Sequence, residues 1–342
     1  MGTATVFGGN EDRIGQAGGQ QLMINPWARS SGMANANMAS VTGVESIFAN
    51  VAGLAFTRKT EINFSHTRWL TTSGIGINNL GFAQRVGEVS VIGINVVGMS
   101  FGELDRTTED LPEGGAGTFT PQIGHLSLSY AREFSNSIFA GITVKAISEG
   151  LPDARANGVA FDAGIRYVTG KKDNLKFGIS LKNVGPRMRF SGDGLAVRNT
   201  LDEKEFTLQQ RTEPYELPSS LNIGFSYDYY IAERADSAGK EIESLHRLTG
   251  AFNYLSNSFG KDQFQFGVEY AFKERFMGRV GLVYEEDLFD ENDSQNIIAG
   301  PTGGLTVALP ISATGSTIDL DYGYRFTTAL GGIHSIGLRV NL

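Results

Sequence analysis

The chain has 342 residues with no cysteine, 44 glycines, 22 phenylalanines and 9 prolines, is 41% hydrophobic and 19% charged, and carries a formal net charge of −8. The lack of cysteine excludes a disulfide framework, a thiol nucleophile and cysteine-ligated zinc or iron–sulfur sites. The acidic balance argues against nucleic acid as a partner, because such binding needs many phosphate-neutralising cations. Glycine, at about 13%, is nearly twice its usual share of about 7% and calls for an explanation. No stretch approaches the roughly 18–20 uninterrupted apolar residues of a membrane-spanning helix; the run from Val89 to Phe101 is broken by Ser90, Asn95 and glycines. A helical membrane protein is thereby excluded, but a membrane β-barrel is not, since alternating strands barely register in a hydropathy window. The first residues carry neither a basic n-region nor an apolar h-region, so for an exported protein they are expected to be a mature or re-engineered start.

Residues 1–56 do not alternate. Asn25-Pro26-Trp27-Ala28-Arg29 predicts a short helical turn with proline at its start. Thr42-Gly43-Val44-Glu45 has the form of a capping box, followed by Ile47, Phe48, Val51 and Leu54 at helical spacing. A polar, small-residue-rich segment of this kind suits a plug inside a barrel. The competing reading is a flexible periplasmic tail, which the capping signals weigh against.

From about residue 60 the hydropathy has a period of two, in segments of about ten residues separated by turn formers. In 159–167, Val159, Phe161, Ala163, Ile165 and Tyr167 share one face, opposite Asp162, Gly164 and Arg166. The pattern recurs in 175–182, 221–229, 264–272, 318–325 and 336–342. Such alternation over about ten residues suits a tilted strand crossing a bilayer. Candidate strands fall at 60–69, 74–84, 89–102, 123–132, 136–149, 157–168, 174–184, 217–231, 245–254, 262–272, 276–285, 303–310, 315–326 and 332–342. They make an even set of fourteen, as a closed single-chain outer-membrane barrel requires.

The connections give a second test, since such barrels have short periplasmic turns and long external loops. The long candidates 103–122, 185–216 and 286–302 are connections three, seven and eleven, whereas connections two, four, six and ten are short. One even connection, 232–244, is longer than the rule. A soluble β-sandwich or propeller also alternates, but a soluble barrel would turn its apolar face inward, and fourteen strands enclose a bore too wide to fill with phenylalanine. The expected architecture is therefore an all-β, 14-stranded antiparallel transmembrane barrel over 57–342, in the bacterial outer membrane and in contact with its lipid, with an N-terminal helical hatch, 1–56, in the lumen.

The run from Ala17 to Ala34, with Asn25, Pro26, Ala28, Arg29 and Gly32, and the run from Ser46 to Phe56 resemble the opening of the PorV/PorQ family of outer-membrane proteins. That family belongs to the wider FadL-like superfamily of fourteen-stranded barrels with an N-terminal hatch. Here Ala34 follows Met33, and Val51 stands where the family usually has proline, as in a divergent paralogue. The resemblance implies a non-enzymatic part in type IX secretion: a shuttle that binds the C-terminal signal domain of secreted cargo and delivers it between translocon and sortase. The alternative within the superfamily is a FadL-like channel for small hydrophobic molecules, with a greasy pocket beside the hatch and a lateral opening at a strand kink. The third strand, apolar on both faces and carrying Gly93 and Gly98, is the candidate for that kink. A purely structural accessory barrel is a third class.

No nucleophile elbow, phosphate loop or His-Glu-x-x-His motif occurs, so no catalytic residue, metal or cofactor is expected. His66, His125, His246 and His334 fall on predicted strands without paired spacing. The loop 285–293 gathers six carboxylates without EF-hand spacing, which suits a solvated acidic external loop better than a calcium site. Within it Phe289, flanked by Asp287, Asp290 and Glu291, is the candidate partner-binding anchor. Asp162, Arg166, Asp319, Asp321 and Arg325, with Lys176, Lys182, Asp228, Glu269 and Arg279, are expected to face the lumen and to pair with one another and with the hatch through Arg29, since unpaired buried charge is costly. Tyr167, Tyr229, Tyr254, Phe272, Tyr284 and Tyr324 lie near strand ends, where an aromatic girdle would sit. Asp236-Ser237-Ala238 resembles a short O-glycosylation sequon.

Overall fold

The computed structural model describes residues 13–108, 111–201, 204–235, 242–286, 288, 298–312, 315–327 and 331–342. Fourteen strands close into one antiparallel barrel. In chain order they are β1 (Thr60–Trp69), β2 (Ile75–Val86), β3 (Ser90–Ser100), β6 (Gln122–Ser135), β7 (Ile138–Leu151), β8 (Ala154–Thr169), β9 (Leu175–Val184), β12 (Ser220–Ala235), β13 (Ile242–Asn257), β14 (Gln263–Phe272), β15 (Phe276–Glu285), β16 (Gly300–Pro310), β17 (Thr317–Arg325) and β18 (Ile333–Asn341). Two small hairpins lie in the long connections: β4 (Leu104–Asp105) with β5 (Thr118–Phe119), and β10 (Ala196–Leu201) with β11 (Lys204–Gln209). Pairing of β1 with β18, from Glu61↔Asn341 to Arg68↔His334, closes the wall, so no membrane-spanning edge is left to expose unpaired backbone to lipid.

Burial alternates residue by residue along these strands, and the faces are inverted relative to a soluble barrel. Phe161, Ile165 and Tyr167 are exposed while Asp162 and Arg166 are buried. The outer wall is a continuous belt of leucine, isoleucine, valine and aromatic side chains. Tyr167, Tyr229 and Phe272 lie near one end of their strands and Tyr254, Tyr284 and Tyr324 near the other, which gives two aromatic rows. Turns 87–89, 136–137 and 273–275 share the end where β1 begins and β18 finishes; the long connections leave the wall at the opposite end, after Ser100, Val184 and Glu285. The short-turn end is periplasmic and the long-loop end extracellular. The long even connection shrinks, because β12 runs on to Ala235 and β13 begins at Ile242. The residues between them, Asp236-Ser237-Ala238 among them, lie outside the described set.

Residues 20–56 fill the lumen with short turns, α1 (Ala28–Gly32), α2 (Ser46–Ala49) and four 3₁₀ segments. Almost no regular ladder is available here, so wall side chains satisfy the plug's backbone. Pro26 O accepts from Ser65 Oγ and, at 3.3 Å, from Thr67 Oγ1. Thr302 Oγ1 donates to Gly32 O at 3.1 Å, Arg166 Nη2 donates to Val41 O, and the Glu61 carboxylate accepts from Val44 N at 3.1 Å. The capping box does not form: Thr42 makes no side-chain cap, and Glu45 instead accepts from Ser30 N at 2.7 Å and from Ser30 Oγ. Tertiary contact has diverted the carboxylate from the local bond that its spacing favours.

The inward glycines mark where plug meets wall. Gly141↔Gly164, Gly178↔Gly224, Gly267↔Gly281 and Gly304↔Gly323 are directly opposed on neighbouring strands. A Cβ on Gly323 would stand 2.3 Å from Ala28 O, and one on Gly164 would stand 2.2 Å from Asn50 Oδ1. Glycine is thus the side chain that lets hatch backbone and strand backbone touch. Gly323→Val is expected to lose about 1–3 kcal/mol through overpacking, read as a lower denaturation midpoint in the heat-modifiable gel shift of the detergent-solubilised barrel.

Candidate functional site

The plug is held differently on its two sides. Toward β2, β3, β6, β7 and β8, near the periplasmic end, Val44, Ile47, Phe48 and Leu54 pack on Ala83, Val91, Ala131, Phe139 and Val168. Toward β12–β18 the plug packs closely on inward glycines and in small apolar clusters, Met33 and Ala36 with Ala251 and Ala34 with Val283 and Ala299, and an ionic network of the wall reaches it through Arg29. Glu269, buried, takes Arg29 of the hatch at 3.2 Å, Arg247 at 2.8 Å and Arg279. Asp228 takes Lys176, and Asp319 takes Arg339 at 2.8 Å. Asp321 accepts from Thr306 Oγ1. Two polar cavities of about 370 and 260 Å³ adjoin this side, both bordered by Arg29 and Glu274.

The inward charges named from sequence do face the lumen, and most are matched. Asp162 pairs with Lys145 at 2.5 Å, Arg166 also lies over Phe56 at 4.9 Å, and Lys182 Nζ stands 3.8 Å from the Phe48 ring centroid. Arg325 departs from the expected pairing: it is buried, and its Nε and Nη2 have no partner among the described residues. The acids of its own strand, Asp319 and Asp321, lie toward the periplasmic end and are engaged there. Of the hatch motif, Asn25 Oδ1 accepts from Trp27 N at 3.0 Å, and Gly32 abuts Gly304. Asp287, Phe289, Asp290 and Glu291 lie outside the described residues. His66, His125, His246 and His334 all stand on strands, and no metal-binding cluster is found among the described residues. Lys145, Arg247 and Arg339 were not singled out from sequence, although strict alternation already placed Arg339 opposite Leu338 and Val340.

The register of the wall shifts at two places among the described residues, at the periplasmic end of β6 between Glu133 and Ser135 and, toward the extracellular end, in β9. The third barrel strand, β3, runs without a register shift against both β2 and β6, so the expected kink there is absent. Its glycines are accommodated by regular pairing. The second shift is in β9: Phe161 pairs with Val184 and Ala163 with Leu181, leaving Lys182 and Asn183 both opposite Asp162. Such a bulge bends the strand. Asn183 takes φ 57°, a left-handed conformation that asparagine tolerates better than most residues. Its amide donates to Asp162 at 2.8 Å, its Oδ1 accepts from Lys145 at 2.8 Å, and its Nδ2 donates to Pro218 O at 3.2 Å.

Beyond the bulge β9 leaves the wall and a cleft of about 500 Å³ opens beside β12 and β13. Its lining passes from the outward-facing Leu181, Val184 and Leu221 to the inward-facing Asn183 and Ser220. Behind it, at the extracellular edge of the hatch, Leu22, Ile147, Ala156, Ala160, Met188 and Leu217 form an apolar cluster. Loop 185–219 covers this cluster. Its Glu216 takes Arg13 at 2.8 Å and Arg187 at 2.6 Å, which hold the carboxyl below its ordinary range. Burial and the Glu149 carboxylate push the Tyr215 hydroxyl up.

A closed antiparallel barrel with an apolar outer belt and a lumenal plug defines an outer-membrane β-barrel of the FadL-like fold. Solved structures agree in fold. The CymD monoaromatic hydrocarbon channel superposes with a TM-score of 0.52 at 12% identity, covering 92% of this chain and 95% of that one. The Pseudomonas putida toluene transporter TodX gives 0.52 at 11% (93% and 97%), and a Pseudomonas aeruginosa FadL homologue 0.51 at 11% (92% and 98%). No protein-family model and no curated protein matches the chain. The protein is placed in the bacterial outer membrane.

Two outcomes are expected from this geometry. Glu269→Ala leaves the buried Arg279 guanidinium without its carboxylate and takes one ion pair each from the part-buried Arg29 and Arg247, and is expected to cost about 3–5 kcal/mol of stability, with Glu269→Gln milder, measured by denaturant unfolding in detergent. The depressed carboxyl of Glu216 means that its contribution is present above the ordinary value of 4.5 and is lost as pH falls through the lower native value. Protection of the Gly18 amide, which donates to Glu216 O at 3.0 Å, is therefore expected to drop on acidification and not on alkalinisation, as read by hydrogen exchange.

Proposed function

We propose that the protein is an outer-membrane channel for small hydrophobic molecules. The observation that carries this reading is the bulge at Asn183, which opens the wall beside the apolar cluster at the outer edge of the hatch. An apolar solute gathered among Leu22, Met188 and Leu217 meets a cleft whose far wall is Leu181, Val184 and Leu221, so it can leave toward lipid without crossing the charged half of the plug. Burial of apolar surface, at roughly 25 cal/mol per Å², draws such a solute in, whereas the ionic side presents polar walls to it. The fold shared with hydrocarbon channels supports the same reading. It is tested by uptake of a small aromatic hydrocarbon into cells expressing the chain: uptake is expected to rise over the empty-vector control and to fall several-fold with Ser219→Trp, which fills the cleft. Equal uptake by the Ser219→Trp variant and the parent chain would sink the proposal.

A second reading, a protein-docking barrel of the type IX kind, is favoured by the way the extracellular connections join. Arg106 reaches Asp153 at 3.4 Å, Gly194 N donates to Asp153 O at 2.8 Å, and Arg155 and Ser191 exchange backbone hydrogen bonds. The platform so formed exposes Leu104, Leu111, Leu151 and Leu208. Together with the resemblance of residues 17–56, this suits a translocon, sortase or cargo signal domain as partner. Retrieval of such proteins from a detergent extract by the tagged chain, lost on Leu151→Glu with Leu208→Glu, is the expected result for this reading.

A further inference from the structure

Residues 13–22 do not stay within the plug; they rise along the inner wall to the extracellular rim and lie across the base of loop 185–219. Ala17 makes a parallel bridge with Glu216, and Gly18 N donates to Glu216 O at 3.0 Å. Arg13 pairs with Glu216 and stacks 4.2 Å over the Phe259 ring centroid. One carboxylate, Glu149 of β7, ties both partners, accepting from Gln21 Nε2 at 2.7 Å and from Tyr215 Oη at 2.9 Å. Leu22 completes the attachment by burying itself against Ile147, Met188 and Leu217.

Glu216, Leu217 and Arg187, the residues so pinned, are also a wall of the cleft at the β9 bulge. That wall is loop, not ladder: past Lys182↔Ser220 no pairing links β9 to β12, and β8 beyond Phe161 makes only an isolated bridge, Arg155 with Ser191, to the loop. We propose that residues 13–22 act as a strap that holds loop 185–219 against the wall and so keeps the lateral cleft narrow. Release of the strap frees the loop base and widens the passage between the lumen and the outer leaflet. The strap's bonds are few, partly exposed at the Arg13–Glu216 end, and remote from the hydrophobic anchor of the plug. It can therefore open while α1, α2 and the barrel stay seated, as low-stability segments do. The tightest point is Gly18: a Cβ there would stand 2.2 Å from the Tyr215 ring, so any larger residue pushes strap and loop apart.

The proposal uses the cleft on which the channel reading rests, but its test needs no solute. Ser220, 1% exposed and bordering the cleft, is replaced by cysteine in a chain that has none of its own. Modification of the introduced thiol by a water-soluble maleimide is then timed in detergent. In the otherwise unaltered chain the reaction is expected to be slow. With Gly18→Leu, or with Arg13→Ala and Gln21→Ala together, it is expected to run about tenfold faster, the effect of a local opening made one decade more populated, while heat-modifiable migration stays unchanged. Equal rates in all three chains overturn the strap. Should Gly18→Leu fail to assemble, the Arg13/Gln21 pair, which removes only side-chain ties, decides alone. Transport that persists with equal thiol rates would leave the channel and remove the strap; accelerated labelling without transport would do the reverse.

Discussion

An irregular chain inside a closed barrel faces one governing constraint: its peptide groups are out of water and have no ladder to join. The structure meets this by bringing plug backbone within direct contact of wall backbone and by aiming wall hydroxyls, amides and carboxylates at plug carbonyls and amides. Each buried group left unmatched would cost about 1–3 kcal/mol, so the positions of Glu61, Ser65 and Thr67 on β1, Arg166 on β8 and Thr302 on β16 are coupled to the path of residues 26–44. Glycine on the inward face is the steric side of the same requirement. The glycine excess in the composition is in part a record of a fourteen-stranded bore fitted to a plug, and in part of turns, where fifteen glycines take positive φ.

The larger apolar side chains of the plug and its cation Arg29 face different parts of the wall because each needs a different partner. Val44, Ile47, Phe48 and Leu54 need dry partners and find them in the alanines and valines of β2 to β8. Arg29 needs carboxylate and finds Glu269, already shared by Arg247 and Arg279. The cavities lie on the ionic side because long charged side chains meeting at their tips fill space less densely than interlocked aliphatic ones.

Much of the barrel was legible in the sequence because a membrane strand writes its environment in period two. The strand at 60–69 is found where alternation put it, and Asp162 with Arg166 faces the lumen as the pattern required. The plug was legible as a segment but not in its contacts. The spacing of Thr42 and Glu45 signals a cap, yet Ser30, fifteen residues earlier, takes the carboxylate once the chain is folded. The kink was placed on β3 because that strand is apolar on both faces, whereas a bulge depends on a single extra residue. Asn183 betrays itself in the sequence only as a break of alternation before Gly185 and Pro186. Arg325 resisted prediction for a different reason, since pairing depends on height along the strand, which alternation does not encode.

Closure of the barrel by β1 against β18 also sets an order of events. The strands that meet are the first and the last made, so the ring is complete only when residue 341 is available to pair with residue 61, a contact of very large sequence separation and hence slow to form. In the closed barrel plug and wall touch closely at Gly164, Gly267, Gly281, Gly304 and Gly323, so a segment drawn in after closure would have to pass these contacts. Gathering the hatch into the bore while the seam is open avoids that obstacle. The N-terminal segment is in this sense a mandrel around which the outer-membrane barrel is wrapped.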